Sequence, residues 1–113
     1  MIATIYPSHC SGSVHIPPSK SMAHRAIICA ALADGVSHLT NIDFSDDILA
    51  TIDGMRQLGA NIETSSNSVT VHGIRSFAQL QSNVLDCKES GSTLRFLIPL
   101  FSLCDQKIHF PVK

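Results

Sequence analysis

The segment that sets the organisation of this chain is residues 17–25, PPSKSMAHR. Its two prolines disfavour a helix up to that point, and the polar and cationic residues after them open one that runs apolar through Leu32. Backbone N–H groups at a helix start have no partner within the helix and lie at the positive end of its dipole, which stabilises a phosphate or carboxylate. Lys20 and Arg25 would add full positive charge. The segment therefore predicts an anion-binding helix start.

The spacing within this segment agrees with that prediction. Ser21 and Arg25 lie four positions apart, hence on one helix face, so a hydroxyl and a guanidinium could hold one ligand together. The alternative is an ordinary surface helix in which Ser19 or Ser21 is the N-cap and the cations are solvated. His24, between the cations, could face the ligand or solvent. This stretch by itself leaves both interpretations open.

A second helix start of the same kind is residues 89–95, ESGSTLR. Its small residues leave backbone N–H groups accessible, Gly91 permits close approach to a ligand, and Arg95 stands in the first turns of an apolar helix. The segment contains neither a P-loop nor a nucleophile elbow, and taken singly it favours a plain Ser-capped helix. Two such starts in one small domain suit a substrate with several negative groups.

The composition is that of one small globular domain. The 113 residues are 44% hydrophobic and 15% charged, with a net charge of −1. No basic run or aromatic ladder is present, which argues against nucleic acid as a partner. The longest apolar stretches, residues 26–33 and 96–101, are too short to span a bilayer, and the first residues lack the pattern of a signal peptide. We therefore expect a cytoplasmic protein without a membrane partner.

The residues that could bind a metal or exchange protons are scattered. The four cysteines include no Cys-x-x-Cys pair, and the six histidines have no acidic partner that spacing assigns, so we expect reduced, structural thiols and no metal. Asp46 and Asp47 are adjacent and point to different sides of a helix. Complementation of the helix dipole explains them better than paired acid and base roles.

Periodicity and turn residues divide most of the chain into strand, helix, strand, helix, strand, strand. The extended pieces lie at residues 1–6 and 13–16, a helix at about 21–33, a strand at 36–42, a second helix between Ser45 and Gly59, and a hairpin at 60–64 and 68–72. The second helix has the clearest signals, with Ser45 as its N-cap and a stripe formed by Ile48, Ile52, Met55 and Leu58. Gly54 inside it costs about 1 kcal/mol relative to alanine.

The pattern restarts after Gly73. Residues 84–87 are expected to be extended, 88–92 to form a polar loop, the following helix to run to about Leu103, and 108–112 to be extended. This order indicates the opening of a second copy of the same unit. The chain stops at Lys113 directly after an apolar run, so we expect a truncated piece.

These motifs together resemble the beginning of the 5-enolpyruvylshikimate-3-phosphate synthase family. The resemblance is carried by residues 18–21 with Arg25 and the apolar helix to Gly35, by Asp46-Asp47 with Met55, Leu58 and Gly59, and by residues 90–92 with Arg95. The match is ordered and spans nearly the whole chain.

The resemblance implies an α+β fold of strand-helix-strand-helix-strand-strand units, part of an inside-out α/β barrel that is truncated here. Residues 1–16 would be leading strands, the first of which belongs to the other domain of the family enzyme. Residues 17–113 would be the first repeat unit and part of the second unit of the substrate-binding domain.

The resemblance also implies an activity: transfer of the enolpyruvyl group of phosphoenolpyruvate to the 5-hydroxyl of shikimate 3-phosphate, with release of phosphate, in aromatic amino acid synthesis. No metal or organic cofactor is implied. The partners would be the two substrates and the later segments of the same enzyme. Because those segments carry the family's acidic proton-transfer residues and further cationic ligands, the chain alone is expected to be inactive.

Individual roles follow from the matched positions. The resemblance implies that Lys20 is catalytic and touches both substrates, that Ser21 and Arg25 hold shikimate 3-phosphate, and that Gly91 and Ser92 lie against phosphoenolpyruvate. Arg95 would support the glycine-containing turn.

Two positions depart from the family pattern. Glu89 stands where Asn is usual, which adds a negative charge beside the phosphoenolpyruvate loop, and Ser92 replaces Thr. The related enolpyruvyl transferase for UDP-N-acetylglucosamine is an alternative, although Ser21 and Arg25 favour the shikimate enzyme. A noncatalytic anion-binding module and a folding fragment without a ligand are further alternatives.

Overall fold

The computed structural model describes residues 1–74, 80 and 82–111, and within them three helices accompany a three-stranded sheet. In chain order the elements are α1 (Lys20–Leu32), β1 (Val36–Leu39), α2 (Asp46–Gln57), β2 (Asn61–Thr64), β3 (Val69–His72) and α3 (Gly91–Phe101). Helices α1 and α2 pack against the sheet and against each other, and α3 packs against α2. The α+β class is as the sequence predicts.

The sheet is antiparallel with the order β1-β3-β2. The predicted hairpin is confirmed, because Asn61 pairs with His72 and Thr64 pairs with Val69 across the turn. Alternation turns the apolar side chains of β2 and β3 toward the helices, and Ile62, Val69 and Val71 are at most 4% exposed. The sheet therefore supplies one wall of the core.

Helix α2 lies at the centre of the packing. Its N-cap Ser45 accepts a hydrogen bond from the Ile48 N–H at 3.4 Å, as the sequence predicts. The predicted stripe of Ile48, Ile52, Met55 and Leu58 is at most 2% exposed. Gly54 is also buried, and a Cβ atom there would collide with Leu97 of α3. The glycine that weakens the helix thus permits its close contact with α3.

The first sixteen residues differ from the prediction. Residues 1–16 form no strand and are exposed throughout. A strand requires a neighbouring backbone for its hydrogen bonds, and none of the described residues supplies one to this segment. The predicted strands are therefore absent here, because alternation of apolar residues does not specify a pairing partner.

Other predicted boundaries shift by a few residues. Strand β1 ends at Leu39 rather than at Ile42, because Asn41 turns the chain with a φ of 57°. Helix α3 ends at Phe101 rather than near Leu103. Among the described residues, the two late extended pieces pair at one parallel bridge, Val84 with His109. The end of the second piece, residue 112, lies outside the described residues.

Candidate functional site

Helix α1 begins where the sequence predicts, with cations in its first two turns. Ser19 is the N-cap and accepts a hydrogen bond from the Met22 N–H at 3.3 Å. Lys20 Nζ lies 3.2 Å from Asp47 Oδ2 of α2, and the two side chains are 57% and 35% exposed. The guanidinium of Arg25 donates to the Ser21 carbonyl oxygen at 3.0 Å and lies 5.3 Å from the centre of the Phe96 ring. Both cations therefore remain accessible.

Helix α3 begins at the second predicted segment. The Ser90 hydroxyl accepts a hydrogen bond from the Thr93 N–H at 3.1 Å, so Ser90 is the N-cap. Gly91 and Ser92 are exposed, and a Cβ atom at Gly91 would meet nothing within 4 Å. A cleft of about 130 Å³ lies beside this turn and is lined by residues 87–91, Leu94 and Pro111. The backbone of the turn is thus open to a ligand.

The two helix starts converge on the start of α2. Asp47 pairs through its carboxylate with Lys20 of α1, and its backbone carbonyl accepts a hydrogen bond from Thr93 of α3 at 3.2 Å. The Arg25–Phe96 contact joins α1 and α3 directly. Lys20 and Arg25 of α1 therefore lie beside the first turns of α2 and α3. Arg95 is exposed on α3, and no hydrogen bond or ion pair among the described residues ties it to this group.

A buried polar cluster beneath this surface was missed by sequence reasoning. His24 is only 1% exposed and faces neither ligand nor solvent, since its Nδ1 lies 2.7 Å from Thr51 Oγ1. Thr51 Oγ1 lies 2.8 Å from Thr93 Oγ1, which lies 2.6 Å from Ser90 Oγ. A signal was present in the sequence, because His24 precedes Ile27 by three positions and Ala31 by seven, on the buried face of α1.

Groups of both charge signs surround the site. Burial lowers the pKa of His24, Lys20 and Arg25 lower it further, and Asp47 opposes them. Burial also raises the pKa of the Cys87 thiol, and Asp86 adds to that effect. A cavity of about 420 Å³ beside the helix starts is lined by Asp46, Asp47, Asp86, Lys88 and Glu89. The lining thus carries four carboxylates, including that of Glu89, and one cation, Lys88, and Lys20 of α1 reaches it through Asp47.

Two further kinds of feature are absent from the described part of the chain. No group of three or more His, Cys, Asp or Glu side chains there is arranged to hold a metal ion. No helix there is long and apolar enough to cross a bilayer.

Comparison with known proteins identifies relatives over nearly the whole chain. The sequence-family model for EPSP synthase (3-phosphoshikimate 1-carboxyvinyltransferase) matches residues 6–111. The 3-phosphoshikimate 1-carboxyvinyltransferase of Clostridium beijerinckii is 57% identical over 107 residues, covering 89% of this chain and 25% of that protein. The corresponding protein of Clostridium perfringens strain SM101 is 54% identical over 106 residues, with 94% and 25% covered.

Solved structures agree with the sequence comparison. The structure of EPSP synthase from Acinetobacter baumannii superposes with a TM-score of 0.72 at 33% identity, covering 80% of this chain and 21% of that one. The chain thus spans about a quarter of the length of the curated relatives it matches.

Proposed function

This chain belongs to the EPSP synthase family, and we propose that it supplies part of the substrate-binding surface for enolpyruvyl transfer from phosphoenolpyruvate to the 5-hydroxyl of shikimate 3-phosphate. The reaction releases phosphate and would take place in the cytoplasm as a step toward aromatic amino acids. Residues 17–113 would be the first repeat unit and part of the second, and the first extended piece of residues 1–16 would belong to the other domain. The observation that carries the proposal is the convergence of the α1 and α3 starts on Asp47.

The two helix starts suit substrates that are polyanions. In this proposal Lys20 contacts both substrates, and Ser21 with Arg25 holds shikimate 3-phosphate. Fixed cations and unpaired N–H donors replace the water around the phosphate and carboxylate groups and offset their mutual repulsion. Holding both substrates on one surface also converts a two-body encounter into a local reaction.

The second start has the properties that phosphoenolpyruvate requires. Gly91 and Ser92 are exposed at the first turn of α3, where free N–H groups and the helix dipole favour an anion. In this proposal they lie against phosphoenolpyruvate, and Arg95 adds to the positive field around the turn. Glu89, which lines the acidic cavity, weakens that field, so Lys20 and Arg25 become more important for offsetting charge.

The Lys20–Asp47 ion pair would have to open for Lys20 to bind a substrate phosphate. Both side chains are partly exposed, and such a pair contributes only about 0–1 kcal/mol. A phosphate with more than one negative charge can therefore replace the Asp47 carboxylate as the partner of Lys20 at little cost.

A chimera tests the proposed function. This chain would replace the matching N-terminal quarter of the Clostridium beijerinckii relative, and turnover of both substrates would be measured by phosphate release. We expect an active chimera in which Lys20→Ala lowers kcat/KM by about a hundredfold or more, because a charged transition-state contact is lost. Lys107→Ala is the matched control, since Lys107 is exposed and lies outside the site.

Two results would contradict the proposal. One is a chimera in which Lys20→Ala and Lys107→Ala have the same kcat/KM. The other is saturable micromolar binding of shikimate 3-phosphate to the 113-residue chain together with an inactive chimera, which would favour a noncatalytic anion-binding module. The isolated chain itself is expected to show no turnover, because it spans a quarter of its relatives.

A further inference from the structure

A continuous line of hydrogen-bonded side chains runs through the junction of the three helices. It begins at His24 in the second turn of α1, passes through Thr51 of α2 and Thr93 of α3, and ends at Ser90, the N-cap of α3. None of these four side chains is more than 4% exposed. The line therefore connects the start of α1 to the start of α3 through the protein interior.

One arrangement of the hydroxyl and imidazole hydrogens gives nearly every polar atom along this line a hydrogen-bond partner. The Asp47 carbonyl can only accept, and Thr93 Oγ1 lies 3.2 Å from it, so the single Thr93 hydroxyl proton goes there. Thr93 Oγ1 then accepts from the hydroxyls of Thr51 and Ser90. Because Thr51 has given its proton to Thr93, it accepts from His24, and Nδ1 of His24 must carry a hydrogen.

The opposite orientation leaves a more costly defect. If Thr51 donated to Nδ1, the hydrogen of the neutral imidazole would move to Nε2, which is buried and has no partner among the described residues. A buried N–H without an acceptor is rarer in proteins than a buried acceptor without a donor. The Asp47 carbonyl would also lose the Thr93 hydrogen. The first orientation is therefore the more stable one.

We propose that His24, in its Nδ1–H form, is a positioning residue that fixes the start of α3 relative to the start of α1 through Thr51 and Thr93. The consequence for catalysis rests on the proposed function, in which these two starts bind the two substrates. His24 contacts neither substrate. It acts by setting the distance between Lys20 and the Gly91 turn, and a displacement of about 1 Å between reacting groups can cost roughly a hundredfold in rate.

The surroundings of His24 favour its neutral form. Burial disfavours the imidazolium, and Lys20 and Arg25 on the same helix repel it, while Asp47 on α2 attracts it. From α3 the imidazole faces Phe96, with 6.3 Å between the ring centres. A second proton would have to sit on Nε2, where no described residue accepts it.

The first test reads the tautomer in the unmodified chain. Two-bond proton–nitrogen correlation spectra distinguish a protonated imidazole nitrogen from a bare one. We expect His24 to show a protonated Nδ1 and a bare Nε2 at neutral pH. A protonated Nε2 would overturn the proposal, and this measurement needs no variant.

The second test measures whether breaking this line of hydrogen bonds displaces the start of α3. Thr51→Val removes the hydroxyl at almost constant shape, and Thr51→Ser retains it. We expect Thr51→Val to shift the amide resonances of residues 90–92 and to speed their hydrogen exchange, with Thr51→Ser close to the unmodified chain. Unchanged resonances in Thr51→Val would overturn the proposal.

A second pair of variants covers the case in which Thr51→Val does not fold. His24→Asn can place an amide N–H where Nδ1 stands, whereas the longer side chain of His24→Gln cannot. We expect the asparagine variant to retain the amide resonances of residues 90–92 and the glutamine variant to shift them. Equal shifts in both would overturn the proposal.

The kinetic test uses the chimera described above. We expect Thr51→Val to raise KM for phosphoenolpyruvate roughly tenfold or more and Thr51→Ser to restore it, because the helix that carries the phosphoenolpyruvate turn is displaced. Equal kinetics in the two variants would overturn the proposal. An inactive chimera would count against the proposed function, while the tautomer and amide measurements would still decide the role of His24.

Discussion

Lys20 and His24 lie one turn apart on α1, yet their environments are opposite. The Lys20 side chain is 57% exposed beside Asp47, whereas His24 is 1% exposed beneath it. A cation can remain charged at the first position because water and a carboxylate solvate it. At the second position a charge would lack both water and an acceptor for its Nε2 proton. One helical turn thus separates Lys20, which is proposed to bind the substrates, from His24, which is proposed to hold the helix starts in position.

The burial of His24 predicts a dependence of stability on pH. Because burial lowers the pKa of folded His24 below the ordinary value of 6.5, the unfolded chain takes up a proton first as the pH falls. At pH values above 6.5 the contribution of His24 to the free energy of unfolding should therefore be constant. As the pH drops through 6.5, the free energy of unfolding should decline. Urea unfolding of the chain at a series of pH values measures this. His24→Asn should show a shallower decline, and identical slopes would contradict the assignment.

At the scale of elements, the contact between α2 and α3 depends on a missing side chain. Gly54 is buried in the middle of α2, and Leu97 of α3 occupies the space that a side chain there would need. Leu97 is itself fully buried. Glycine has a poor helix propensity, but at this position it leaves space that Leu97 of the neighbouring helix fills. The same close contact allows Thr51 and Thr93 to reach each other.

Replacing this glycine by alanine should destabilise the protein. Helix propensity would contribute up to about 1 kcal/mol in favour of Gly54→Ala, but overpacking against Leu97 typically costs about 1–3 kcal/mol. We expect a net loss in the free energy of unfolding, measured by urea titration. Gly91→Ala is the control, because nothing lies within 4 Å of its Cβ position, and it should leave stability unchanged or slightly higher. A stabilised Gly54→Ala variant would contradict this account of the α2–α3 contact.

At the scale of the molecule, the chain consists of a packed unit and a leading segment that adds nothing to its core. Residues 1–16 are exposed throughout, including large apolar side chains such as Ile2, Ile5 and Tyr6. The core is formed by α1, α2, α3 and the sheet. In the proposed function, the first extended piece of this segment would belong to the other domain of the enzyme.

Removal of residues 1–16 should therefore leave the packed unit intact. The segment contributes no buried side chain, so the free energy of unfolding should change by less than about 0.5 kcal/mol. Thermal unfolding of the shortened and the full chain makes the comparison, and solubility should improve as exposed apolar side chains are removed. A large drop in stability would show that the segment packs against the unit.

Much of the local structure could be predicted from the sequence. Ser45 was identified as the α2 cap, the stripe from Ile48 to Leu58 as its buried face, and residues 60–72 as a hairpin. Each of these signals acts within a few residues, through capping, periodicity or turn chemistry. It can therefore be recognised without knowledge of the rest of the fold. The cations at the α1 start and the glycine at the α3 start were found in the same way, as properties of helix beginnings.

Only the tertiary structure decided which of these pieces meet. The His24–Thr51 and Thr51–Thr93 bonds join residues 27 and 42 positions apart, and no local pattern specifies such pairings. They depend on how closely the three helices pack, which Gly54 permits between α2 and α3. The sequence by itself thus determined the helix starts and their charges, whereas packing determined that these starts lie side by side over a buried histidine. The reason is physical: hydrogen bonding within a helix is local, but burial depends on the whole chain.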